Sequence, residues 1–378
     1  MTRAEPFHVA AGVMALTGWP FLGLLCAFSI ALIAVTMAMW NRWPTGWALV
    51  LRLGCLLLLM IAGAVVTADV VNREFGFYAS FDDLLGRLPP VTVTPCSGRI
   101  EGPPAASAHG RLEHVRLTGS VSGISREALV YLPAAYASPA ASHSRFPVIE
   151  LFHGYPGGPG AWQRHLKLSA VLDREIAARC IPPVIVVVPT DSDPGHDGEC
   201  VDAVLGRRNE TYLAVDVPAE LTARYRASDG PRSWAAMGYS TGGFCAVNIA
   251  LHHPLRYAAA AALSGYFTPV TDSSTGDLYR GRRGVRQWND PQWQAGHRHI
   301  HLPLYVVAGR ADPEAQRAIE HLKAAARGDV PITVGESPAG GHNFTVWSKA
   351  CPTAFDWLAG HLPLSPPSLA AQPDDPGG

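Results

Sequence analysis

The chain opens on a long apolar stretch. From Val9 to Trp40, 32 residues pass without an Asp, Glu, Lys or Arg. As one helix they would reach about 48 Å at 1.5 Å per residue, well beyond the roughly 30 Å hydrocarbon core of a bilayer. Gly18-Trp19-Pro20 supplies a break, so the first span is expected at residues 20–39, with Val9–Trp19 as an interfacial lead-in. The turn Asn41-Arg42-Trp43-Pro44-Thr45-Gly46 follows. A second span is expected at residues 47–71, with Arg52 near enough to its start to snorkel outward. Val66-Thr67-Ala68 carries small residues of the kind a signal peptidase accepts, but the full span before it favours a retained anchor. Residues 1–71 therefore read as a membrane anchor with two transmembrane helices.

Residues 72–110 read as a connector, ending in the Pro/Ala/Gly-rich stretch Gly102–Gly110. From there to residue 363 short apolar runs alternate with helical patterns, which predicts an α/β domain with a mostly parallel sheet. Strands are expected at Glu113–Leu117, Ala128–Leu132, Val148–Phe152, Val184–Val188, Trp234–Met237, Ala259–Leu263, Leu304–Ala308 and Ile332–Glu336. Helices are expected at Leu168–Ala178, Gly242–Leu251, Pro313–Ala326 and Trp347–Ala359. The tail at residues 364–378, rich in Pro, Asp and Gly, is expected to be disordered.

Composition adds three constraints. The 378 residues carry a formal net charge of −1, which gives no support to nucleic-acid binding. The turn between the spans holds Arg42, joined by Arg52, whereas at the N-terminus Arg3 is offset by Glu5. The positive-inside tendency then puts the turn in the cytoplasm and everything after Val71 outside the membrane. Of seven cysteines, Cys96, Cys180, Cys200, Cys245 and Cys351 fall in the outer part, where at least one disulfide with one cysteine left over is expected. Cys200–Cys245 is the favoured pair, because both residues follow neighbouring strands at one sheet edge.

The chemistry centres on Gly238-Tyr239-Ser240-Thr241-Gly242. This G-x-S-x-G run lies between an expected strand and an expected helix, the context a nucleophile elbow requires. A serine needs a base and an orienting acid, which in this topology follow it in the order acid, then histidine. Asp312 ends a strand 72 residues after Ser240, and His342 follows 30 residues later in Gly340-Gly341-His342. Asp312 before Pro313 also suits a helix cap, and His342 also suits a plain surface histidine. Glu314 and Glu336 are the reserve acids. The oxyanion donors are expected from the loop His153-Gly154-Tyr155-Pro156-Gly157-Gly158 and from the N–H of Thr241.

These residues carry a resemblance. Gly238–Gly243, continuing through Ala246–Pro254 to Leu263-Ser264-Gly265-Tyr266-Phe267, resembles the "putative esterase" family. That family groups enterochelin-esterase-like enzymes, esterase D (formylglutathione hydrolase) and the antigen 85 mycolyltransferases. The similarity runs roughly from Leu112 to Leu362 and includes Tyr131-Leu132-Pro133 and His153-Gly154, and the fused membrane segment resembles actinobacterial membrane esterases. The resemblance implies the α/β-hydrolase fold, with Ser240, Asp312 and His342 as nucleophile, acid and base, and Tyr155 with Thr241 as the oxyanion hole. The antigen 85 pattern has an extra residue between serine and glycine, which this sequence lacks.

Two further clusters stand out. Asp191, Asp193, Asp197 and Glu199 read as a solvated acidic loop at the rim of the site, with Ca²⁺ binding the less favoured reading. His297, His299 and His301 alternate and would share one face of a strand. The expectation is a membrane-anchored serine hydrolase, extracytoplasmic, acting on carboxylic esters or thioesters of small-molecule, lipid or glycolipid type, without metal or cofactor. The alternatives are a mycolyltransferase-like acyltransferase, and a catalytically silent hydrolase-like interaction module.

Overall fold

The computed structural model describes residues 16, 18–44, 46–75, 77–78, 80–85, 87, 96 and 109–363. The chain divides into two compact units: residues before Pro90 with Ala339–Thr345, and the remainder. The expected tail at residues 364–378, and most of the lead-in before Trp19, lie outside the described residues.

The first unit is built on α1 (Trp19–Met39) and α2 (Ala48–Phe75), followed by the single turn α3 (Phe81–Leu84). Pro20 in the first turn of α1 suits a helix start, since a first-turn N–H has no partner within the helix. Both helices are long and apolar enough to cross a membrane. Their large apolar side chains, such as Phe28, Ile30, Leu49 and Leu53, stand exposed, which is costly in water and favourable in lipid. The second helix runs past Val71 to Phe75, so the expected connector begins as helix. Arg52 turns back to the inter-helix turn, where its guanidinium donates to the Trp40 carbonyl at 2.9 Å and lies over the Trp40 ring. At the opposite end Arg73 pairs with Asp69 at 2.6 Å and donates to the Gly18 carbonyl at 2.7 Å.

The second unit holds one eight-stranded sheet of β1 (Arg111–Thr118), β2 (Ser125–Leu132), β3 (Val148–Phe152), β4 (Ile185–Pro189), β5 (Trp234–Tyr239), β6 (Tyr257–Leu263), β7 (Leu304–Val307) and β8 (Ile332–Val334). Their spatial order is β1-β2-β4-β3-β5-β6-β7-β8. The hairpin β1–β2 is antiparallel, as is β2 on β4, and every other pair is parallel. Each of the eight expected strands is present, with ends shifted by up to three residues. The five strands β3 to β7 are buried along their whole length, as parallel strands covered on both faces must be. At the edges the pattern changes: β1 alternates and β8 is short and largely exposed.

The covering helices are α4 (Gly160–Arg164), α5 (Leu168–Ala177), α6 (Asn209–Thr211), α7 (Val217–Arg224), α8 (Thr241–His252), α9 (Arg283–Trp288), α10 (Pro291–His297), α11 (Pro313–Ala325) and α12 (Phe344–Ala359). The alternating histidines do not form a strand. Asp290 caps α10 by accepting from the Trp293 N–H at 2.8 Å, so His297 is a helical residue stacked on Trp293, and His299 and His301 lie in the following loop. Two disulfides form, Cys96–Cys180 and the expected Cys200–Cys245 with its Cα atoms 5.4 Å apart, and Cys351 is a buried thiol.

Candidate active site

The G-x-S-x-G run occupies the turn from β5 into α8. Ser240 has φ 55° and ψ −126°, a conformation that costs a non-glycine residue on the order of 1–3 kcal/mol and persists only where its surroundings enforce it. Those surroundings are visible. The Ser240 N–H donates to the Leu263 carbonyl of β6 at 2.9 Å, and its carbonyl accepts from the Gly243 N–H at 2.8 Å. A Cβ on Gly238 would fall on the carbonyl of Gly242, and one on Gly242 would fall on the carbonyl of Phe152. Both glycines are thus required for the strand and helix to meet at this angle. Ser240 is left half-buried at the carboxyl edge of the sheet, at the start of a helix whose backbone N–H groups point toward it.

Beside it runs the loop after β3. Gly154 backs onto the elbow, where an added Cβ would lie 3.0 Å from the Ser240 Cβ and 2.9 Å from the Tyr239 ring. The buried His153 is gripped by Asp191 from the end of β4. The carboxylate accepts the His153 backbone N–H at 2.8 Å and lies 3.0 Å from the ring Nε2. The other ring nitrogen, Nδ1, lies 3.0 Å from the Gly154 carbonyl, and the Trp162 indole donates to the Phe152 carbonyl at 3.2 Å. Burial lifts the Asp191 carboxyl to about 6, against the opposing pull of His153. Tyr155 is half-buried in this loop.

The acidic loop departs from its solvated reading. Asp191, Asp197 and Glu199 are buried, and only Asp193 is partly open, paired with Arg126 at 2.8 Å. Asp197 accepts the Thr241 hydroxyl at 3.0 Å and the Glu199 N–H at 2.9 Å. Glu199 in turn accepts from the Tyr266 hydroxyl at 2.9 Å, the Val270 N–H at 2.8 Å and the Tyr279 hydroxyl at 3.3 Å. Each carboxylate is buried because donors await it. Burial raises the Asp197 carboxyl and pushes that of Glu199 to about 7. The Cys200–Cys245 disulfide ties the same loop to α8. The composition of the loop did not reveal this role; its one signal was its place directly after a strand at the carboxyl edge.

The remaining candidates sit as follows. Asp312 lies beyond β7, 4% exposed, and accepts the Ala315 N–H at 3.2 Å as the cap of α11. Glu314 is exposed in the first turn of that helix, and Glu336 is exposed after β8. His342 is half-buried in the loop before α12, within the first unit. Ser240, Thr241 and the His153–Tyr155 loop are thereby brought together at one sheet edge. A serine on such a turn, beside a glycine-bearing loop and a helix N-terminus, suits acyl transfer, where an oxyanion must be met by backbone N–H groups. A cavity of about 610 Å³, lined by Asp229, His253, Arg256 and Arg298 among others, lies at the amino ends of β5 and β6, away from Ser240.

Comparison with known proteins shows the family and the fold. A family model described as "Putative esterase" matches residues 120–357. An uncharacterised protein of Corynebacterium glutamicum is 30% identical over 266 residues, which cover 66% of this chain and 62% of that one. An esterase of Mycobacterium tuberculosis is 29% identical over 156 residues, or 41% of this chain and 32% of the esterase. The chain therefore spans less than two thirds of the length of either relative. Among solved structures, a ferulic acid esterase superposes with a TM-score of 0.59 at 21% identity, covering 67% of this chain and 98% of its own, and shares the α/β-hydrolase fold.

Proposed function

This chain belongs to the family described as "Putative esterase", and we propose that it is a membrane-anchored serine esterase. The observation that carries the reading is the enforced, strained conformation of Ser240 between β5 and α8. Ser240 Oγ attacks the acyl carbon of a carboxylic ester or thioester. His342 takes the serine proton and returns it to the leaving group, and Asp312 holds the imidazole tautomer and stabilises its cation. The Tyr155 and Thr241 N–H groups meet the oxyanion. Water then enters along the same path and releases the acid. Support for these roles comes from the elbow, from the chain order serine, aspartate, histidine, and from family membership.

The anchor is α1 with α2, and the catalytic domain faces the outside of the membrane. Arg42 and Arg52 favour a cytoplasmic turn, but Arg73 puts a further cation at the other end, so charge alone decides little. The two disulfides weigh more, because such bonds persist in oxidising compartments.

An alcohol that reaches the acyl-enzyme ahead of water would turn the same chemistry into acyl transfer. Product analysis of the purified full chain on an ester donor, with and without a sugar acceptor, separates the two. Free acid in both cases supports the esterase; acylated sugar as main product makes it a transferase. No turnover and no covalent labelling by a fluorophosphonate would leave a silent module.

A further inference from the structure

We propose that Asp83, in the short turn after the second apolar helix, is a positioning residue for His342. The proposal rests on the reading of His342 as catalytic base. The residues on either side of that histidine are both held by this one carboxylate. The Gly341 N–H donates to Asp83 Oδ2 at 3.0 Å, and the Asn343 side-chain amide donates to Asp83 Oδ1 at 3.0 Å. The same amide donates to the Phe77 carbonyl at 2.6 Å. Asp83 is 1% exposed, so these bonds form away from water, where the loss of an acceptor strands buried donors.

The clamp is itself anchored. Ser80 caps the turn by accepting the Asp83 N–H at 3.1 Å. The Asn72 side chain, still within α2, pairs with both the N–H and the carbonyl of Tyr78, at 2.7 and 2.9 Å. Phe81 meets the Phe21 ring of α1 edge-on at 5.5 Å. A path of short bonds thus leads from the apolar helix pair to a loop that lies more than 250 residues further along the chain. A histidine preceded by two glycines has little stiffness of its own, and a shift of about 1 Å in a reacting group costs up to about 100-fold in rate. The segment between anchor and catalytic domain therefore has a second task besides spacing: it sets the shape of the histidine loop.

The test uses the full-length protein in lipid nanodiscs, with hydrolysis of a p-nitrophenyl ester read per serine labelled to completion by a fluorophosphonate. Asp83→Ala is expected to lower kcat by about 10- to 100-fold with KM changed less than about twofold. Asp83→Asn, which keeps one acceptor oxygen, is expected to fall between Asp83→Ala and the parent. Should Asp83→Ala fail to fold, Asn343→Ala, which removes one arm of the clamp, is expected to show the same kcat-selective loss. A parent-like kcat per labelled site in the folded variant overturns the proposal. His342→Ala runs in parallel: if it retains activity, the assignment of the base has failed; if it is inactive while Asp83→Ala is parent-like, only the clamp has failed.

Discussion

Asp191 holds His153 by both backbone and ring, with its two oxygens 2.8 Å from the N–H and 3.0 Å from Nε2. The bond joins the ends of β4 and β3 and fixes the loop that lies against Ser240. Asp191→Ala leaves the His153 N–H buried without its acceptor. We expect a loss of about 1–3 kcal/mol in stability. If Tyr155 is an oxyanion donor, kcat should also fall by about 10²-fold. Thermal unfolding and steady-state kinetics on one preparation check both.

The buried glutamates set a pH dependence of stability. Burial pushes Glu199 to about 7 and Glu150, which accepts the Tyr257 hydroxyl at 2.7 Å, to about 8. Both lie above the ordinary glutamate value of about 4.3, so the folded state holds these protons more tightly than the unfolded state. Their stabilisation is complete below that ordinary value and is lost as pH rises through 7 and 8. The melting temperature should fall from pH 5 to pH 8, and Glu199→Gln should flatten the part below about pH 7.

Much of this was legible in the chain. Short, mostly apolar runs set between helical patterns mark the strands, and all eight were placed. The G-x-S-x-G run was readable because a strand and a helix flank it. The acidic loop was not, since carboxylates in a loop look solvated until their donors are known. The donors come from His153, 38 residues before Asp191, and Tyr266, 67 residues after Glu199. The histidine alternation misled for a local reason: the Asp290 cap and Pro291 begin a helix that sets a different period.

The Cys200–Cys245 bond closes 45 residues of chain and holds the acidic loop to α8. Cys200→Ser with Cys245→Ser should reduce stability by about 2–4 kcal/mol. Denaturant unfolding of the double variant beside the parent measures it, and an unchanged midpoint would count against the bond.

Asp312 and Glu314 compete for the role of acid. Asp312 is buried just past β7, whereas Glu314 is an exposed first-turn residue whose charge suits the helix terminus. Asp312→Asn should cut turnover by about 10⁴-fold through the wrong histidine tautomer. Glu314→Gln should change it little. The reverse pattern moves the acid to Glu314.

Orientation is decided by protease treatment of intact spheroplasts. An outward catalytic domain is digested while a cytoplasmic marker survives. Full protection would invert the topology.

The central claim is that Ser240 is the nucleophile. Its most direct test is mass-spectrometric location of a fluorophosphonate adduct on the full chain, with Ser240→Ala as control. One adduct is expected, on the peptide holding Gly238–Gly242 and absent from the variant, whose turnover falls by about 10⁴-fold or more. An adduct on another residue, or parent-like turnover in Ser240→Ala, would contradict it.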